Sequence, residues 1–149
     1  MRLNFDCVRD VMLWAESLTT PTRLAIYVDI DSLSKTKDIY LDTSERPIPD
    51  DSQNSLLEKY PNEILVYHLT YCIRANLLIR DINLDDNLIA IKDLTPEGHE
   101  FLENIRSDTV YEKVKKICKK LGIESLSGIA DISKAVVTEI IKAYLSNPS

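Results

Sequence analysis

The fold of this chain depends most on residues 60–106, which read YPNEILVYHLTYCIRANLLIRDINLDDNLIAIKDLTPEGHEFLENIR. The stretch begins with a helical run, Pro61 to Asn76, whose apolar side carries Ile64, Leu65, His68, Leu69, Cys72 and Ile73. Two short apolar segments follow, 77–82 and 88–92, and between them lie Asp85, Asp86 and Asn87, residue types that tolerate turns. We predict that these two segments pair as a β-hairpin.

The stretch ends in a helix with a clear start, Leu94-Thr95-Pro96-Glu97-Gly98-His99-Glu100-Phe101-Leu102. Thr95 can cap this helix, Pro96 suits its first position, and Glu97 places negative charge at the positive end of the helix dipole. Gly98 lowers helix propensity, so we expect it to mark a close approach to another backbone. Helix, hairpin and capped helix in this order predict an α+β fold with a winged helix-turn-helix core and a small β-sheet wing.

The chain before this core is also patterned. Asn4 can cap a first helix whose apolar residues recur at helical spacing, namely Phe5, Val8, Val11, Met12, Ala15 and Leu18. A strand is predicted where apolar and other residues alternate, at Leu24, Ile26, Val28 and Ile30, and a partner strand is predicted at Ile39 and Leu41. Residues 42–54 have loop composition, and a short helix follows at about residues 52–59.

Two further helices are predicted after residue 106, which gives a winged-helix domain at 1–106 and a C-terminal helical extension at 107–149. The first, 109–121, has an apolar side made of Val110, Val114, Ile117, Cys118 and Leu121, and Gly122 is a natural stop. The second, 125–145, has a wide apolar stripe that must be buried, either on the domain or in a homodimer. The candidate dimer residues are Ile129, Val136, Val137, Ile140, Ile141 and Tyr144.

Composition limits the classes of partner. The 149 residues carry a formal net charge of -6, which argues against coating nucleic acid or membrane by bulk charge, so a DNA contact would need a local basic patch. The three cysteines are scattered without a C-x-x-C spacing, which predicts reduced, buried thiols. No apolar window approaches a membrane span, and no signal core is visible, so we expect a cytoplasmic protein without a membrane partner.

Several of these segments resemble a known family. Leu65-Val66-Tyr67-His68-Leu69, Leu77-Leu78-Ile79, the run from Leu94 to Arg106 and the lysine-rich helix after it are similar to small bacterial and phage proteins catalogued as domain of unknown function 2513. The resemblance covers nearly the whole chain. It implies a phage or prophage-type origin and a winged-helix core, with no established activity.

The sequence offers few residues that could act as a catalytic acid, base or nucleophile. The two histidines, His68 and His99, are far apart, and neither a His-x-x-x-His spacing nor paired cysteines are present. His68 lies on the apolar side of its helix, which is typical of a core histidine, and we expect His99 to tie its helix to the wing by a hydrogen bond. We therefore predict a protein that is not an enzyme, with no cofactor and no metal.

Two functions remain open. As a DNA-binding transcriptional regulator the chain would use the outer face of the helix at 62–75 and the wing, and the candidate residues are Asn62, Glu63, Tyr67, Thr70, Arg74, Arg80, Asn83 and Lys92. This surface carries almost no net positive charge, and the basic stretch, Lys113 to Lys120, is typical of a solvated helix face. The alternative is an acidic protein-interaction module that modulates a host or phage protein.

Overall fold

The computed structural model describes residues 1–35, 46–82 and 85–147, and these form seven helices and one three-stranded antiparallel sheet. In chain order the elements are α1 (Phe5–Leu18), β1 (Ala25–Val28), α2 (Ile30–Lys35), α3 (Asp51–Lys59), α4 (Asn62–Arg74), β2 (Leu78–Arg80), β3 (Leu88–Leu94), α5 (Pro96–Ile105), α6 (Asp108–Leu121) and α7 (Leu126–Ser146). The predicted α+β class is confirmed. The strand predicted at Ile39 and Leu41 lies outside the described residues.

Helix α1 lies at the centre of the core. Asn4 caps it as predicted, because its side chain accepts a hydrogen bond from the backbone N–H of Cys7. The buried face of α1 packs against α4, α5 and β3, and its members are Cys7, Val8, Val11, Met12, Trp14 and Ala15. The sheet and the helices around it therefore share one apolar cluster.

The sheet joins a strand from the beginning of the chain to the predicted hairpin. The strand order is β1-β3-β2, with Ala25 opposite Ile91 and Leu78 opposite Leu94. The alternation that predicted β1 is not its pattern of burial, because Ile26 is 44% exposed and Tyr27 is fully buried. Tyr27 takes the inner face because its ring meets Trp14 edge-on and its hydroxyl donates to Asn62 Oδ1 at 2.7 Å, which leaves no buried polar group unpaired.

The end of α4, the start of β2 and the start of α5 meet in one tight joint. Asn76 has φ 60°, and its carbonyl accepts a hydrogen bond from Thr95 Oγ1 at 2.6 Å. The N–H of Thr95 donates to the carbonyl of Leu77, and Thr95 Oγ1 caps α5 by accepting from the N–H of Gly98 at 2.9 Å. A Cβ added at Gly98 would lie 2.1 Å from the Leu77 carbonyl oxygen, so the predicted close approach of two backbones is confirmed.

Helices α6 and α7 pack on each other and on α5. Ser107 caps α6, Gly122 ends it with φ 71°, and Ser125 caps α7, so the breaks lie where they were predicted. Leu121 was placed on the buried stripe of α6, and that was wrong because it is 63% exposed. It is the last residue of the helix, where the chain reverses toward α7 and offers it no neighbour to pack on.

Polar contacts also tie α6 to α1. Arg9 donates to the carbonyl of Ile105 and to Asp108 Oδ1 at 2.8 Å, so one side chain links the N-terminal helix to the start of α6. One turn away, Asp6 Oδ1 accepts from the Tyr111 hydroxyl at 2.6 Å and from Lys115 Nζ at 3.0 Å.

No helix in the described part of the chain combines the length and the apolar character needed to cross a bilayer.

Candidate nucleic-acid interface

The outer face of α4 presents four of the candidate residues. Glu63 and Arg74 are exposed near its two ends, and Tyr67 and Thr70 are half-buried between them. The Tyr67 hydroxyl donates to the carbonyl of Met1 at 3.3 Å, and its ring centre lies 6.0 Å from that of Tyr71. Tyr71 was not among the sequence candidates, although its position four residues after Tyr67 places it on the same face.

Asn62 is a structural residue. It is only 7% exposed, its Oδ1 accepts from the Tyr27 hydroxyl, and its Nδ2 donates to Asp29 at 2.9 Å and to Asp31 at 3.0 Å. Both amide hydrogens of Asn62 are therefore used inside the protein, and its buried oxygen is not presented to a base edge. The prediction that Asn62 is a reading residue does not fit this burial.

The hairpin contains a β-bulge that changes the direction of one basic side chain. Ile79 pairs with Asp93 and Arg80 pairs with Ile91, so Lys92 is an extra residue without a partner on β2. Lys92 and Asp93 are consequently both exposed, whereas strict alternation would bury one of them. Lys92 and Arg80 are both exposed, with Lys92 at the bulge of β3 and the Arg80 guanidinium directed to the Leu88 carbonyl nearer the turn.

Acidic side chains surround these two cations. Asp81, Asp85 and Asp86 follow β2 or precede β3, and the carboxylate of Asp85 accepts from the N–H of Asn87 at 2.8 Å to form the turn. Candidate Asn83 lies outside the described residues. From Leu78 to Leu94 the sequence holds two basic and four acidic residues, so the hairpin as a whole is negative.

Even so, the three basic candidates are not neutralised by neighbouring carboxylates. Among the described residues, no ion pair includes Arg74, Arg80 or Lys92. Arg80 makes a long hydrogen bond, 3.4 Å, to the carbonyl of Leu88. Of the five lysines on α6, Lys115 is held by Asp6 and Glu112, and the others are exposed: Lys113, Lys116, Lys119 and Lys120.

His68 is a core histidine, as predicted. It is fully buried, its Nε2 accepts from the backbone N–H of Asn4 at 2.9 Å, and its Nδ1 lies 2.7 Å from the carbonyl of Ile64. A backbone donor on one nitrogen and a carbonyl on the other require the neutral ring with its proton on Nδ1. Burial lowers the pKa of His68 below its ordinary 6.5, against the opposing effect of the Ile64 hydrogen bond.

His99 links the capped helix to the hairpin. Its Nε2 lies 3.3 Å from Asp93 Oδ1, and both side chains are about half exposed. The predicted link is therefore present as a close approach of the two side chains, and the predicted hydrogen bond is not formed among the described residues.

The thiols are buried, and burial raises the pKa of Cys7 and of Cys72 to about 12. The described residues include no cluster of three or more metal-ligating side chains. The described residues near the outer face of α4 therefore include neither a thiolate nucleophile nor a metal centre.

The candidate dimer residues divide into two groups. Ile129 and Val136 are buried inside their own chain, where α7 packs on α5 and α6, so a second subunit cannot reach them. Val137 is half-buried, whereas Ile140, Ile141 and Tyr144 are 41%, 52% and 75% exposed. The earlier part of α7 therefore serves the core, and its last turns do not.

Comparison with known proteins gives a family without an assigned activity. A family model described as "Hypothetical protein (DUF2513)" matches residues 2–124. An uncharacterised protein of Haemophilus influenzae is 27% identical over 85 residues, which cover 55% of this chain and 72% of that protein. No solved structure matches the chain. Because the family model spans most of the sequence, the chain belongs to the DUF2513 family.

Proposed function

We propose that this chain is a winged-helix DNA-binding regulator, of phage or prophage type and cytoplasmic, which contacts duplex DNA with α4 and the β2–β3 hairpin. The order of elements supports this proposal. A first helix is followed by a strand, two helices lead into α4, and a hairpin then completes a sheet in the order β1-β3-β2. Such an arrangement places the outer face of α4 beside the β2–β3 hairpin. Winged-helix domains bind DNA with the corresponding helix and hairpin.

The observation that carries the proposal is the set of three exposed cations on these elements. Arg74 is at the end of α4, Arg80 is on β2 and Lys92 is at the bulge of β3, each exposed and without an ion-pair partner in the described part of the chain. Phosphate contacts are made mainly by such arginines and lysines, with tyrosine and threonine as further donors. Thr70 supplies such a donor on the same helix face, whereas the Tyr67 hydroxyl is directed to the Met1 carbonyl.

Direct binding tests the proposal. We expect fluorescence anisotropy of a labelled duplex to show binding at about 50 mM salt and weaker binding at about 200 mM. The variant Arg74→Ala should bind the labelled duplex more weakly than the wild-type chain at the same salt concentration. Arg23→Ala is the matched control, because it removes the same arginine charge from an exposed position before β1, outside α4 and the hairpin. Failure of the wild-type chain to bind any duplex at low salt would contradict DNA binding.

A second function is favoured by the acidic end of the hairpin. Asp81, Asp85 and Asp86 would repel phosphates but attract a basic surface on a host or phage protein. The double variant Asp81→Asn with Asp86→Asn separates the two functions. A DNA-binding chain should gain several-fold in duplex affinity when these charges are removed, whereas a module that docks on a basic partner should lose that partner and gain nothing on DNA.

We also propose that the chain is not an enzyme. The two histidines are engaged in structural contacts, His68 with Asn4 and Ile64 and His99 with Asp93. Neither contact places a nucleophile beside a base.

A further inference from the structure

One face of α7 has two very different halves. Ala130, Lys134, Val137, Ile141 and Leu145 follow one another at spacings of four, three, four and four residues, so they lie in one row along the helix. We call this row the outer row of α7. It is distinct from the buried side of the helix, whose members are Leu126, Ile129, Ser133 and Val136.

The first half of the outer row forms a wall of a cleft. Ala130 and Lys134 line a cavity of about 470 Å³ between α7, α5 and the end of α4. Its apolar lining comes from residues that are themselves largely buried, Phe101, Leu126 and Leu77, with Tyr71 at the α4 side. The cleft is therefore an apolar depression that the side chains of residues 1–35, 46–82 and 85–147 leave unfilled.

The second half of the outer row is an apolar surface that none of the described residues covers. Ile141 is 52% exposed and Leu145 is 67% exposed, and Tyr144 beside them is 75% exposed. Single exposed apolar residues are ordinary, but three large ones within five residues of a helix form a patch of the kind that marks an interface. The outer row thus carries an apolar protrusion at one end and an apolar cleft at the other.

We propose that a second copy of this chain covers this surface, with two α7 helices packed antiparallel along their outer rows. In a two-fold arrangement centred near Val137 and Thr138, Leu145 of each chain lies on Ala130 of the other, and Tyr144 lies beside Asp131. The protrusion of each copy then fills the cleft of the other. A two-fold interface requires this kind of self-complementary patch, in which each residue and its counterpart exchange roles.

Charge and contact length agree with this occupant. The rim of the cleft carries Glu97, Glu100 and Asp131, with Lys134 Nζ 3.7 Å from the Glu100 carboxylate, and at the protruding end of α7 Glu139 and Lys142 pair at 3.8 Å. No like charge is therefore forced against the rim. A helix of 21 residues extends over about 30 Å, so one antiparallel contact spans both clefts, the length needed to approach the ~800 Å² per partner of a standard interface.

The oligomeric state tests the interface independently of DNA binding. By sedimentation velocity over a concentration series, we expect a dimer whose dissociation constant rises at least ~30-fold in Leu145→Glu, which places a charge in the apolar cleft, and in Tyr144→Glu, which places one beside Asp131. Leu121→Glu is the matched control, because it places the same charge at an exposed apolar position of α6 outside the outer row and should leave the dimer intact. Ala130→Trp, which fills the cleft, should weaken the dimer without adding charge.

The register is tested by disulfide formation in the double variant Ala130→Cys with Leu145→Cys. Within one chain these positions are about 22 Å apart along the helix, too far for a disulfide, so a bond between them must join two chains. We expect a covalent dimer under oxidation, and no cross-link in either single variant, since like positions are distant in an antiparallel pair. A monomer at about 100 µM, or cross-linking in the single variants, would overturn the proposal.

Discussion

Gly98 shows how one residue ties three elements together. Its missing side chain lets the first turn of α5 approach the Leu77 carbonyl, and a Cβ there would lie 2.1 Å from that oxygen. Gly98→Ala should therefore destabilise the chain by about 3 kcal/mol, because backbone atoms must move. Gly122→Ala is the control, a site with positive φ but open space, and should cost only about 1 kcal/mol. Urea unfolding measures both, and an equal cost for the two variants would contradict the role of the close approach.

His68 makes stability depend on pH. Its folded pKa lies below 6.5 because it is buried, so the unfolded chain binds a proton more readily as the pH falls. The stabilisation is fully present above the unfolded pKa and is lost as the pH falls through 6.5 toward the folded pKa. Over about pH 8 to pH 5, the free energy of unfolding should decrease in a His99→Gln chain, where His68 is the only histidine. A His68→Gln/His99→Gln chain should show a flatter profile, and identical slopes would contradict this assignment.

At the level of elements, local signals predicted helices and their ends well. Asn4, Thr95, Ser107 and Ser125 cap helices by accepting a hydrogen bond from the backbone N–H three residues further on, so each cap depends on residues within one turn. The joint at Gly98 was foreseeable for the same reason, since a glycine inside a helix needs an explanation.

Long-range polar pairing could not be predicted in the same way. Asn62 appeared free to read DNA, but its partners Tyr27, Asp29 and Asp31 lie 31 to 35 residues earlier. The hairpin bulge at Lys92 was equally hidden, because nothing in the residue types there demands an extra residue. The helix and the hairpin that carry the candidate surface could therefore be predicted from the sequence, whereas the exposure of its members depended on contacts with residues far away along the chain.

Gln53 is a residue whose importance only the structure reveals. It is fully buried, its Oε1 accepts from the Val28 N–H at 2.9 Å, and its Nε2 donates to the Val28 carbonyl at 2.7 Å. Gln53→Leu should lower the free energy of unfolding by about 3 kcal/mol, because two buried backbone groups lose their partner. Asn54→Leu, a change at the exposed neighbouring position, should cost little in the same thermal or urea melt. An equal decrease in the free energy of unfolding for both variants would show that β1 does not depend on the two hydrogen bonds from Gln53.

At the scale of the whole molecule, charge is distributed unevenly. The chain is acidic overall at -6, and four lysines of α6 are exposed together on a helix that packs on α5 and α7. The cations of α4 and the hairpin are fewer, and aspartates flank them. The local positive charge of α6 therefore predicts contact with nucleic acid at that helix, whereas the arrangement of the elements predicts contact at α4 and the hairpin.

The salt dependence of duplex binding separates these two surfaces most directly. The triple variant Arg74→Ala/Arg80→Ala/Lys92→Ala should reduce the slope of log affinity against log salt by roughly 2 to 3, because each lost phosphate contact contributes about 0.9. The control is the triple variant Lys113→Ala/Lys116→Ala/Lys120→Ala, which removes an equal number of positive charges from α6. It should leave the slope within about 1 of wild type. An unchanged slope in the first variant, or an equal loss in both, would contradict recognition of DNA by α4 and the hairpin.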